Sequence, residues 1–137
     1  MSGTGQESVV RGDVTSAISD AMASLVSRYT GRGATSSRTT FSRDLIVCVM
    51  GDTLTTGEKS LVQYGKSEAV LSIRRAYQES MAEEAISVVE ELSGRRVMAF
   101  MSNNHIDPDL AVEIFVLQRA PNGRPSDEAS DGRARLR

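Results

Sequence analysis

At 137 residues, 39% apolar and 25% charged, the chain has the size and balance of one globular domain. Its net charge of −2 excludes the whole-molecule attraction that a basic stripe supplies to nucleic acid. No apolar run approaches the roughly 18 residues that span a bilayer, which excludes direct membrane insertion. A lone cysteine, Cys48, cannot close an internal disulfide and points to a reducing compartment. The N-terminus MSGTGQESVV lacks the basic and apolar regions of a secretion signal. The expectation is a cytoplasmic protein, membrane-peripheral only through a partner.

Between Val9 and Tyr29, apolar residues fall at Val10, Val14, Ala17 or Ile18, Ala21 or Met22, Leu25 and Tyr29, one face of an amphipathic helix. Gly31 stands where a left-handed residue ends a helix, with Arg28 in the last turn to meet the dipole. Residues 35–41 (TSSRTTF) predict a half-exposed strand, SRD at 42–44 a tight turn, and LIVCVM at 45–50 a buried strand. Thr55 followed by Glu58 forms a capping-box pattern that starts a short helix near Thr56, and Gly65 interrupts it.

A second helix starts at Ser67, with apolar residues at Val70, Ile73, Tyr77, Met81, Ala85, Val88 and Leu92, and Gly94 stops it. RRVMAFMS and LAVEIFVLQ predict two further strands, joined by NNHIDPD as a turn-rich link. The end, APNGRPSDEASDGRARLR, is almost without apolar residues and reads as a disordered tail. The expectation is one α+β domain over residues 1–119 and a polar tail over 120–137. Its order is α-β-β-α-α-β-β, with two hairpins forming a four-stranded antiparallel sheet covered by helices on one face. Each hairpin follows a helix that ends in a Gly-Arg step, Gly31-Arg32 and Gly94-Arg95, a faint internal echo.

The stretch TGRGATSS at 30–37 invites comparison with a phosphate loop. Such a loop follows a strand and opens a helix; here the order is reversed, and neither GxxxxGK[ST] nor GxGxxG occurs. Arg28, Arg32, Arg38 and Arg43 precede the first acid after them, Asp44, and form either a solvated face or a patch for an acidic surface. His105, the single histidine, lies in the predicted turn beside Asp107 and Asp109, and Cys48 lies inside an apolar strand where cysteine is ordinarily a small core residue. Together they could notionally form a nucleophile–base pair, but a core role for Cys48 and a turn role for His105 are expected, and HExxH and CxxC are absent. No catalytic residue, metal site or cofactor is expected.

LIVCVM and VEIFVL carry apolar residues at successive positions, so both faces of their strands want cover. Helices protect one face; a second copy is the economical cover for the other, and a homodimer is expected.

The segments YTGRG at 29–33, SRDLIVCVMGDTLTTGEKSL at 42–61, IRRAYQE at 73–79 and ELSGRRV at 91–97 together resemble the MpsC-like family. The resemblance covers residues 8–118 and implies association with a sodium-translocating, membrane-potential-generating system linked to inorganic carbon uptake. In that setting a soluble chain is a non-catalytic accessory or regulatory component, with a membrane transport subunit as partner. Ala34 stands where the family commonly has proline, and Ser93 where it has threonine.

The positions matching the family's motifs are Tyr29, Gly31, Arg32, Gly33, Leu54, Thr55, Glu58, Lys59, Arg74 and Gly94. Tyr29, Gly31, Thr55, Glu58 and Gly94 read as structural. Arg32, Gly33, Arg38, Lys59 and Arg74 form the candidate site for a ligand or partner. If the loop folds toward the long helix, they make a basic site for a carboxylate, bicarbonate, phosphate or acidic segment. A small-anion sensor built there is the alternative function. The competing structural role pairs Arg32 with Glu58 or another carboxylate.

Overall fold

The computed structural model describes residues 3–119, with side chains from residue 12 onward. The elements are α1 (Gly3–Thr30), β1 (Ser36–Ser42), β2 (Leu45–Gly51), α2 (Thr56–Gln63), α3 (Ser67–Ser93), β3 (Val97–His105) and β4 (Leu110–Leu117). The four strands form one antiparallel sheet in the order β1-β2-β4-β3, so the second hairpin joins the first through β2 and β4. This is the α+β fold that the residue patterns predict. The region predicted as a tail, 120–137, lies outside the described residues.

α1 begins before the predicted Val9, because residues 3–8 (GTGQES) hold no apolar side chain for periodicity to register. Thr30 ends it, and Gly31 takes φ +85° with its N–H on the Ser27 carbonyl at 2.9 Å. Gly94 closes α3 the same way, at φ +73° with its N–H on Glu90. A non-glycine residue at either position would meet the steric cost of the left-handed region.

α1 lies over β1 and β2, α3 lies over β3, and the two long helices pack on each other. Ile18, Met22, Leu25 and Val26 from α1 meet Ile46, Cys48 and Met50 from β2. Met81, Ala85 and Val89 from α3 and Ala111, Phe115 and Leu117 from β4 complete the core. Phe100 and Phe115 stack obliquely across the β3–β4 pair, 5.0 Å between ring centres.

Two predictions shift. Asn103, Asn104 and His105 continue β3, paired with Val112, Ala111 and Leu110, instead of forming a turn. Ladder bonds override the turn preference of asparagine here, and the Asn104 side chain is held by Arg74. The buried stripe of α3 runs Val70, Arg74, Met81, Ala85, Val89, with Ile73 exposed. An apolar template places Ile73 inward because it cannot foresee a buried arginine.

Among the described residues, no helix lies on the opposite face of the sheet. There the outward residues of β2 and β4, Leu45, Val47, Val49, Leu110, Val112, Ile114 and Val116, form an apolar stripe continued by Met101 of β3. A shallow groove of about 390 Å³ crosses it, lined chiefly by Val49, His105, Leu110 and Val112.

Candidate functional site

One end of the sheet is organised around Arg74. Its side chain is only 4% exposed and lies beneath α3, where an unpaired cation would be prohibitively costly. The chain answers with acceptors from three segments. Nη1 donates to Glu58 Oε1 at 3.2 Å and to the Thr53 carbonyl at 3.3 Å, Nη2 to Thr53 Oγ1 at 2.9 Å, and Nε to Asn104 Oδ1 at 3.3 Å.

Glu58 is there because α2 begins where it does. Thr55 Oγ1 accepts the Glu58 N–H at 3.1 Å while Glu58 Oε1 accepts the Thr55 N–H at 2.8 Å, a reciprocal capping box. The same Glu58 oxygen thus serves the helix start and the buried arginine; its other oxygen, Oε2, is buried without a hydrogen bond.

Thr53 in turn passes the network to the β3–β4 turn. The Asp109 carboxylate accepts the Thr53 N–H and hydroxyl at 3.1 and 3.2 Å, and the Leu54 N–H at 3.0 Å. Arg74 therefore ties the β2–α2 loop, the start of α2, α3 and the far hairpin into one unit.

Arg32 and Lys59 lie at the surface beside this hub. Both converge on Asp52, with Arg32 Nη2 at 2.6 Å and Lys59 Nζ at 3.4 Å from its carboxylate. Arg32 Nε also donates to the Asp52 carbonyl at 3.1 Å. The Arg32 hydrogen bond holds the Asp52 carboxyl below the ordinary carboxylate range, with Lys59 adding to it. Gly33 packs back on α1, where an added Cβ would stand 3.4 Å from Ser27 Cβ.

The structure thus brings Arg32, Gly33 and Lys59 to one edge and buries Arg74 behind them. Arg38 is on β1 opposite Val49, exposed at the border of the open apolar face. Of the two pairings offered for Arg32, the carboxylate is Asp52; Glu58 goes to Arg74. Tyr29 and Arg28 reach across to α3 and share Glu84, at 3.0 and 2.6 Å, which holds the Glu84 carboxyl low.

Cys48 and His105 lie on opposite faces of the sheet. Cys48 is fully buried under the helices, where burial pushes its thiol up and away from the reactive thiolate. His105 is exposed at the end of β3, with Nδ1 2.8 Å from the Pro108 carbonyl oxygen. Among the described residues, no group of three or more His, Cys, Asp or Glu side chains is placed to hold a metal ion. Nor is any helix among them long and apolar enough to cross a membrane.

Sequence reasoning missed Asp52, Thr53, Asn104 and Asp109, which read as ordinary loop residues, and Glu113. The last carried a signal: it is the one acid inside the apolar run AVEIFVL, and it lies on the buried side of β4 at 4% exposure.

The family model described as "Na+-translocating membrane potential-generating system (MpsC)" matches residues 10–119. Comparison with curated proteins and with solved structures gives no match. The match spans well over half of the 137 residues and contains every element from the body of α1 to the end of β4, so the chain belongs to the MpsC family.

Proposed function

We propose that this protein is a non-catalytic accessory or regulatory interaction component of a membrane system that moves Na+ or a coupled solute, working as a dimer through the open face of its sheet. The observation that carries this is the contrast between the two sides of β2 and β4. Ile46, Cys48 and Met50 are covered by helices, whereas Leu45, Val47, Val49, Val112, Ile114 and Val116 face outward with no other described element over them. An apolar sheet face of this extent favours a protein partner, and the family description supplies the setting.

In this reading the sheet face takes a second copy. The surface edge of Arg32 and Lys59 takes an acidic segment of a membrane transport subunit.

The test is sedimentation equilibrium of the full chain and Val112→Asp, together with affinity capture from gently solubilised membranes by the wild type and Arg32→Ala. A dimer that Val112→Asp converts to monomer supports the sheet-face contact, and a monomeric wild type sinks it. Recovery of a transport subunit by the wild type and its loss with Arg32→Ala supports the accessory role. Recovery of only a second copy of the chain overturns a stable association with the membrane system.

A further inference from the structure

Glu113 stands on the helix-facing side of β4, opposite Cys48 of β2 and Ser102 of β3 in register. α3 and β3 run antiparallel along each other. One turn from Arg74 to Gln78, about 6 Å, therefore matches two residues from Asn104 back to Ser102, about 7 Å. Arg74 holds Asn104. The next layer inward is then Gln78, Ser102 and Glu113. In that layer the Gln78 amide nitrogen and the Ser102 hydroxyl are both buried without a hydrogen bond of good geometry. A buried carboxyl with a hydroxyl that pulls on it without a well-formed bond, and an amide nitrogen in the same layer with no acceptor, is an arrangement that needs an explanation.

We propose that Gln78, Ser102 and Glu113 form a buried proton site, and that its occupancy sets how firmly Arg74 grips Thr53 and Glu58.

The charge count gives the reason. Among the described residues, three ionisable groups face Glu113 or stand directly behind its neighbour: the Cys48 thiol from β2, the Arg74 guanidinium from α3, and Glu58 from α2 behind Arg74. β3 contributes only neutral side chains to that face, Ser102 and Asn104, and the buried side chains of α1 are apolar. Arg74 neutralises Glu58 with side chains 4% and 6% exposed. One cation cannot balance two buried carboxylates, and Arg74 is paired with Glu58, so Glu113 is the one that holds a proton. Burial pushes the Glu113 carboxyl up to about 7, against the opposing pulls of Ser102 and Arg74.

When the proton leaves for solvent, a buried carboxylate appears and needs donors. The Ser102 hydroxyl and Gln78 amide are free to turn to it, and Arg74 becomes shared between Glu113 and Glu58. The arginine's hold on Thr53 Oγ1 and the Thr53 carbonyl weakens. The capping box of α2 depends on the same Glu58 oxygen, so the loop at 52–55 and the start of α2 loosen together.

Two measurements on the full chain test this, each comparing wild type with Glu113→Gln. The first follows the infrared C=O band of a buried carboxylic acid between about pH 5 and about pH 9. The second follows amide hydrogen exchange of residues 56–63 at matched pH, so that intrinsic rates cancel. The expected results are a band lost through neutrality and absent in Glu113→Gln, and α2 exchange several-fold faster in the wild type only at pH values above about 7, where the band is gone. Ser102→Ala, which removes one donor for the ionised form and little volume, moves the band loss to higher pH. A band lost in the ordinary carboxylate range overturns the proton site. Equal exchange in the two proteins at every pH overturns its link to Arg74, and an unmoved titration in Ser102→Ala overturns the role of Ser102.

Discussion

Arg32 and Arg95 hold opposite ends of β2 in the same way. Each is the second residue of a Gly-Arg step that follows a long helix. Each grips a residue with positive φ that is not glycine: Asp52 at φ +60° for Arg32 and Arg43 at φ +56° for Arg95. Arg32 takes the Asp52 carbonyl and carboxylate; Arg95 takes the Arg43 carbonyl at 3.0 Å, the neighbouring Asp44 carboxylate and the Gln118 carbonyl at 2.7 Å. The αL conformation is costly for such residues, and the arginines supply the surrounding bonds that keep it.

Replacing these arginines therefore has unequal effects. Arg95 has a 19% exposed side chain and bonds two carbonyls and the Asp44 carboxylate, so Arg95→Ala lowers stability by about 1.5–3 kcal/mol. Arg32 is more exposed and its ion pair is screened by solvent, so Arg32→Ala lowers the unfolding midpoint in urea by clearly less. Equal midpoints for the two variants would contradict this account of the two clamps.

Arg74 and Glu58 are a different case, because neither can reach water. Removing one partner leaves a buried charge, and Arg74→Met costs about 3–5 kcal/mol. The double variant Arg74→Met, Glu58→Gln leaves no charge behind and keeps a hydrogen-bonding group for the Thr55 N–H. It recovers a large part of the loss. Urea denaturation of the two singles and the double closes the cycle; additive losses would mean that the pair is not coupled.

How much of this was legible follows from what each residue announces. Thr55 and Glu58 declare a helix start by spacing alone, and Gly31 and Gly94 declare helix ends, because those signals are local. The two hairpins and their single antiparallel sheet are legible from four strand-like runs, whereas the order β1-β2-β4-β3 emerges only in the structure. Arg74 is not legible as a buried residue: its partner acceptors on Thr53, Glu58 and Asn104 lie 16 to 30 residues away in sequence, and only the tertiary fold assembles them. Asp52 and Asp109 are hidden for the same reason. Glu113 was within reach, since an acid at an inward position of an otherwise apolar strand requires either a cation or a proton.

Glu113 gives stability a pH dependence of definite sign. Its carboxyl is raised from 4.5 to about 7 in the folded chain, so the native state holds a proton that the unfolded chain has already lost. The benefit is fully present below about 4.5 and is lost as pH rises through about 7. At about 1.4 kcal/mol per tenfold, the window is worth about 3 kcal/mol. Asp52 and Glu84, held low by their cations, act in the opposite sense and only on acidification below their ordinary range. Between about pH 5 and about pH 8 the thermal midpoint of the wild type therefore falls, while that of Glu113→Gln stays level. A wild-type midpoint that is flat over that interval would falsify the assignment.

The two proposed contact surfaces differ in how salt should affect them. The stripe of Val47, Val49, Val112 and Ile114 holds no charge, so self-association through it is unmoved or strengthened by salt. The edge of Arg32 and Lys59 lies at the surface, and contacts made there are screened within about 8 Å at physiological ionic strength. Raising salt from about 0.05 M to about 0.5 M should leave the sedimentation mass of the chain at the dimer value while weakening capture of an acidic membrane partner. The converse result, a dimer that dissociates with salt and a partner that stays bound, would exchange the roles of the two surfaces. The apolar sheet face would then dock to the membrane system, and the basic edge would join two copies.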